Sequence, residues 1–185
     1  MKAQGRIMTI GEASIGVQEA YRAAGKSRCC QYRAGAAIVN GKGEVLGTGS
    51  RSLKSGNNLT LCTGNICLYA RKDRKCGTSD PIKEAVESVL RKGLALEGAT
   101  LFLAEFDPQE KSEIGKFSIP KRVACCSGCG ELIVRHKLKI ALWQRELEEV
   151  PTLVLYEWRA FRMDPRLHVM NLILPQSEVT LVVGK

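Results

Sequence analysis

At 185 residues the chain is long enough for one domain with a buried core, and 44% hydrophobic with 25% charged residues is ordinary for a soluble globular fold. Twenty-eight Lys and Arg against 19 Asp and Glu leave a net charge of +9, which points to a polyanionic partner, nucleic acid first. The alternative is a basic but inert surface, because the charges are scattered and form no long block. Aromatics at 5% are too few for a base-stacking platform. Met1 to Val17 holds no uninterrupted apolar run of the secretory kind, and no run is long enough to span a membrane. Eight cysteines in such a chain point to metal or free thiols in a reducing, cytoplasmic compartment rather than to disulfides.

Ile10 to Ala24 reads as an amphipathic helix with Ile10, Ala13, Val17, Ala20 and Tyr21 near one face, ended by Gly25. After Cys29-Cys30, Ala34 to Val39 is a strand, Asn40 to Gly43 a turn and Glu44 to Gly49 the returning strand. Ser50 to Asn58 is a polar loop. Leu59 to Gly77 carries Cys62, Cys67 and Cys76 among Arg71, Lys72, Arg74 and Lys75. That basic stretch, with Arg159 and Arg162 in the aromatic and basic segment Tyr156 to Arg166, is the expected nucleic-acid contact. Asp80 and Pro81 supply helix-start chemistry for Ile82 to Lys92, and Gly93 stops it. Glu97 to Glu105 is a strand with its lead-in, followed by a polar loop from Phe106 to Val123.

Cys126 and Cys129 then open a helix, Glu131 to His136, which feeds a strand, Leu138 to Trp143. Two cysteines three apart at a helix start can reach one metal, and the helix terminus favours the thiolate. A redox pair and a chance pair of buried thiols fit the same spacing. Beyond the acidic Gln144 to Glu149 and Pro151, Leu153 to Trp158 reads as a strand or short buried segment. Val169 to Leu174 and Val179 to Val183 read as short strands or an apolar tail. The order is α-β-β-α-β-α-β and a tail. The expected organisation is a single domain over 1–185, with its core in 10–143 and a tail in 144–185.

From Cys126 to Trp143 the chain resembles, without a gap, the second half of the zinc-dependent cytidine/deoxycytidylate deaminase family, which writes Pro-Cys-x-x-Cys, a helix and "G-I-K-K-L-V-Y". Cys125 stands where the family has proline. Glu97-Gly98-Ala99-Thr100 resembles the family's "E-G-A-T", and Cys29-Cys30 to Gly49 its "S-K-C-C…V-G-A-V-I…T-G-Y-N-G". The resemblance implies an α/β fold, a three-layer α-β-α sandwich whose mixed sheet begins with an antiparallel hairpin. It also implies zinc.

Deamination in that family needs two thiolates, a third His or Cys ligand, an open position for water, and a glutamate two residues after the third ligand to carry the proton. Counting back from Glu97 puts Asp80 at the third ligand and Ile82 at the glutamate. No His-x-Glu or Cys-x-Glu occurs, and His136 and His168 both follow the Cys pair. An alignment through Cys67 meets Leu68-Tyr69 where Ala-Glu should stand. The family's Asn-bearing loop is replaced by Gly49-Ser50-Arg51-Ser52. Isoleucine moves no proton, and such acid–base work is worth roughly 10²–10⁴-fold.

The expected metal ligands are therefore Cys126 and Cys129, with Asp80 or Cys125. A second zinc would take Cys29, Cys62, Cys67 and Cys76. The resemblance implies a non-catalytic subunit that pairs with an active zinc-dependent deaminase and helps to hold RNA or tRNA. Self-association is the other pairing. The alternatives are an active nucleotide or RNA deaminase with a displaced acid, Glu84 or Glu105, and a regulatory nucleotide-binding module.

Overall fold

The structure is a computed structural model. It describes residues 6–27, 33–51, 62–63, 66–67, 79–106, 116–117, 127–144, 152–158 and 179–180. In chain order the elements are β1 (Arg6–Ile7), α1 (Ile10–Gly25), β2 (Arg33–Val39), β3 (Val45–Ser50), β4 (Cys62–Thr63), β5 (Ile66–Cys67) and α2 (Pro81–Arg91). They continue with β6 (Thr100–Phe106), β7 (Lys116–Phe117), α3 (Ser127–Arg135), β8 (Lys139–Gln144), β9 (Thr152–Tyr156) and β10 (Val179–Thr180).

Six strands form one mixed sheet in the order β1-β9-β8-β6-β2-β3. The hairpin β2-β3 is antiparallel, β2 pairs antiparallel with β6, and β6 pairs parallel with β8. Helix α1 covers one face: Ala13, Val17, Ala20 and Ala24 pack on Ala37, Val39, Phe102, Ala104 and Ala141. Helices α2 and α3 cover the other: Ile82, Ala85, Val86, Val89, Cys129 and Ile133 pack on Ala36, Ile38, Leu101 and Ile140. This is the expected three-layer α-β-α arrangement, with apolar residues on both faces because both are covered.

Local chemistry sets the boundaries. Thr9 and Glu12 form a capping box at the start of α1: the Thr9 N–H donates to Glu12 Oε2 over 2.9 Å, and the Glu12 N–H donates to Thr9 Oγ1 over 3.3 Å. Asp80 caps α2, Pro81 is its first residue, and Gly93 (φ +67°) ends the turn that follows it.

The strand expected over Leu153 to Trp158 is present as β9. Strand β9 is an integral member of the main sheet, bonded antiparallel to β8 on one side and β1 on the other. The loop expected from Phe106 to Val123 contains β7, which pairs antiparallel with β10, Phe117 opposite Val179. Among the described residues no helix is long and apolar enough to cross a membrane.

Candidate metal centre

The parallel pair β6 and β8 is each preceded by its own helix on the same face of the sheet, so α2 and α3 run in the same direction and their N-termini come together. Asp80 stands at the first terminus and Cys129 in the first turn at the second. Cys129 Sγ donates to Asp80 Oδ2 over 3.0 Å, while Asp80 Oδ1 accepts the Ile82 N–H over 2.9 Å. One carboxylate thus caps α2 and reaches across to the thiol of α3. Cys129 is 3% exposed.

Close approach of β3 fixes the start of α2. A Cβ on Gly49 would lie 2.1 Å from the Pro81 carbonyl and 2.5 Å from the Ala85 nitrogen, so only glycine fits there. One turn into α2, Glu84 Oε2 accepts the Ser50 N–H over 3.1 Å, and its other oxygen accepts from Ser79 Oγ. The next residue is held as well: the Arg51 N–H donates to the Ala34 carbonyl over 2.8 Å, and Ser27 Oγ donates to the Arg51 carbonyl over 2.7 Å. The helix N-terminus and the strand end beside it are locked together.

The residue two beyond Asp80 has no polar function. Ile82 is 4% exposed and packs in the core with Ala36, Val86 and Ile133. Glu84 is engaged with Ser50 and Ser79 and serves to hold β3 on α2. Glu105 lies on the sheet face that carries Leu101 and Leu103, opposite Ala34 in register, at the end of the sheet where α2 begins.

Asp80 and Cys129 are the predicted ligands that the structure brings together. Cys125 and Cys126 lie outside the described residues, as do Cys29, Cys76, His168 and the basic residues Arg71, Lys72, Arg74, Lys75, Arg159 and Arg162. Cys62 and Cys67 are direct partners across the β4–β5 ladder. Among the described residues no group of three or more His, Cys, Asp and Glu side chains is placed to hold a metal. The donor types at Asp80 and Cys129, a carboxylate and a thiol, are ones that zinc takes, so the described part of the site fits that metal as two ligands of a larger set. His136 follows α3, away from its N-terminus. Burial and then the neighbouring Arg135 charge lower its pKa from the usual imidazole value.

The Glu84 clamp was not foreseen from sequence. Its partner Ser50 is 34 residues away, and no spacing rule links them.

No family model and no curated protein matches the chain. Solved structures similar to it include a cytidine deaminase from Burkholderia pseudomallei, at 14% identity over 83% of this chain and 96% of that one, with a TM-score of 0.49. A dCMP deaminase from the cyanophage S-TIM5 is similar at 16% identity over 70% of this chain and 79% of that one, with a TM-score of 0.46.

Proposed function

We propose that the chain is a deaminase-like subunit that binds zinc but carries no catalytic acid, and that it pairs with an active zinc-dependent deaminase acting on RNA or tRNA. The observation that carries the reading is the side chain of Ile82. It is buried in the core two residues beyond Asp80, which is itself in contact with Cys129. A proton carrier is absent at the position where the sequence resemblance calls for one, and a ligand pair is present beside it. Cys126 would complete the thiolate pair with Cys129, and Asp80 would supply the oxygen ligand. Zinc held there would tie the starts of α2 and α3. The net charge of +9 supports a polyanionic substrate for the pair. A tagged pull-down from the native host, read by mass spectrometry, tests this. A second deaminase-like chain with an intact His-Ala-Glu in stoichiometric amount supports the reading; recovery of the bait alone overturns it.

An active deaminase with a displaced acid is the second reading, favoured by one observation: Glu105 sits on the correct sheet face and at the correct end. It requires the pure chain to deaminate a cytidine nucleotide or tRNA, and Glu105→Gln to abolish that activity.

A further inference from the structure

Strands β2 and β3 are joined through Asn40-Gly41-Lys42-Gly43-Glu44, and the Asn40 amide organises that turn. Asn40 Oδ1 accepts two backbone N–H groups, from Lys42 and from Glu44, each over 2.9 Å. Asn40 Nδ2 donates to Glu44 Oε2 over 2.7 Å. The main chain of the same residue is held as well. The Asn40 N–H donates to the Glu44 carbonyl over 2.9 Å, and the Asn40 carbonyl accepts the Gly43 N–H over 3.0 Å. Asn side chains close turns by bonding the backbone two residues on. Here the amide also grips Glu44, through both its oxygen and its nitrogen.

The glycine that follows has no such structural part. Gly43 adopts φ +83°, a conformation that favours glycine. Gly41 has no positive φ, and a Cβ built on it would meet nothing within 4 Å. Neither backbone nor packing calls for glycine at 41, and the residue is exposed. Its effect there is chemical. The Gly41 nitrogen can close a five-membered ring on the Asn40 side chain, and no side chain at 41 shields it. In that reaction the Gly41 nitrogen gives its proton to solvent hydroxide and bonds to Asn40 Cγ. The Cγ–Nδ2 bond breaks, and Nδ2 leaves as ammonia with a proton taken from water. Water then opens the cyclic imide at either carbonyl, leaving aspartate or isoaspartate at 40. Nothing is oxidised or reduced. The folded turn opposes the first step. Ring closure makes Cγ tetrahedral and swings Oδ1 and Nδ2 off the plane in which the three bonds hold them, so those bonds must loosen first.

We propose that Asn40-Gly41 is a self-deamidation site that the closed β2–β3 turn keeps latent, the bonds of the Asn40 amide acting as its lock. Conversion then records opening of the turn. It is also one-way: an aspartate at 40 sets a second carboxylate against Glu44 in place of the Nδ2 donor, and an isoaspartate lengthens the main chain by a methylene. The test is the rate at which the tryptic peptide Ala34–Lys42 of the full chain acquires aspartate and isoaspartate at 40, read by mass spectrometry after incubation in mildly alkaline buffer with and without denaturing urea. Three hydrogen bonds of ordinary net strength make the folded chain slower than the denatured one by roughly 10- to 1,000-fold. Glu44→Ala, an exposed change that removes the acceptor of Nδ2, raises the folded rate about fivefold and leaves the denatured rate alone. Glu44→Gln keeps an oxygen for Nδ2 and converts at the wild-type rate. Gly41→Ala, which meets no neighbour, slows conversion in both states. A folded rate equal to or above the denatured one, no conversion in urea, or a Glu44→Ala chain that converts no faster than wild type overturns the proposal.

Discussion

The Cys129 thiol and the Asp80 carboxylate are 49 residues apart in sequence and 3.0 Å apart in space. Asp80 does two jobs at once, one oxygen on the Ile82 N–H and the other on Cys129 Sγ. The two jobs separate by substitution. Asp80→Ala loses both and is expected to destabilise the chain by about 1 kcal/mol through the cap, plus the loss of the thiol's acceptor. Asp80→Asn keeps a capping oxygen and is expected to cost only a few tenths of a kcal/mol through the cap. Urea denaturation of the two variants checks the difference.

Ile82→Glu places a glutamate where the deaminase family that the sequence resembles carries its acid. Its side chain enters a core position that is 4% exposed, among Ala36, Val86 and Ile133. An unpaired buried carboxylate is expected to cost about 3–5 kcal/mol, so the variant is strongly destabilised and gains no activity. Thermal melting with a parallel deamination assay measures both. A stable, active Ile82→Glu would contradict the expectation of a destabilised, inactive variant.

Gly49 is the contact point of β3 with the start of α2. Gly49→Ala drives a methyl into backbone atoms of Pro81 and Ala85 and is expected to destabilise by about 2 kcal/mol. Gly41→Ala meets nothing within 4 Å and serves as the control, with an expected change near zero. Denaturant midpoints of the pair test the packing directly.

Glu12 governs the acid response of the N-terminal edge. The Arg6 guanidinium donates to both of its oxygens, at 3.1 and 3.0 Å, and the Thr9 backbone and hydroxyl add their bonds. Together they lower its pKa from 4.5 to about 2, Arg6 first. A carboxyl depressed in the folded state stabilises above its unfolded value and loses that contribution as pH falls. The loss therefore develops between about 4.5 and about 2. Glu12→Gln is expected to flatten the pH dependence of stability in that window and leave the profile above it parallel to wild type.

Much of the fold was legible because its signals are local. The 3.6-residue spacing in α1 marked Ala13, Val17 and Ala20, which are buried; in α2 the same spacing takes in Ile82, Ala85, Val86 and Val89, which are buried, and Leu90, which is 48% exposed. Asp80-Pro81 gave the start of α2, with Asp80 as its N-cap. Thr9-x-x-Glu12 carries the capping-box pattern as plainly, and could have moved attention to the first turn of α1. What was hidden is non-local. Two-residue strands such as β1 show no period, and the pairing of Phe117 with Val179 joins segments whose composition says nothing about each other. The place of β9 in the main sheet depends on a ladder to β8 that alternation alone does not specify.

The candidate site divides in the same way. The Cys-x-x-Cys spacing itself named Cys129 as a metal ligand, whereas Asp80 was named only through the family resemblance. Their contact is produced by the topology, two helices laid on one face before two parallel strands. The engagement of Glu84 with Ser50 follows from Gly49 letting β3 approach α2, which no pattern of charges reveals.

The central claim is that Asp80 and Cys129 hold the same metal. Zinc in the purified chain, quantified per mole of protein by mass spectrometry beside Asp80→Ala and Cys129→Ser, tests it most directly. The account predicts that each substitution removes the same single equivalent of zinc relative to wild type. Wild type without zinc, or Asp80→Ala retaining the full wild-type content, would contradict it.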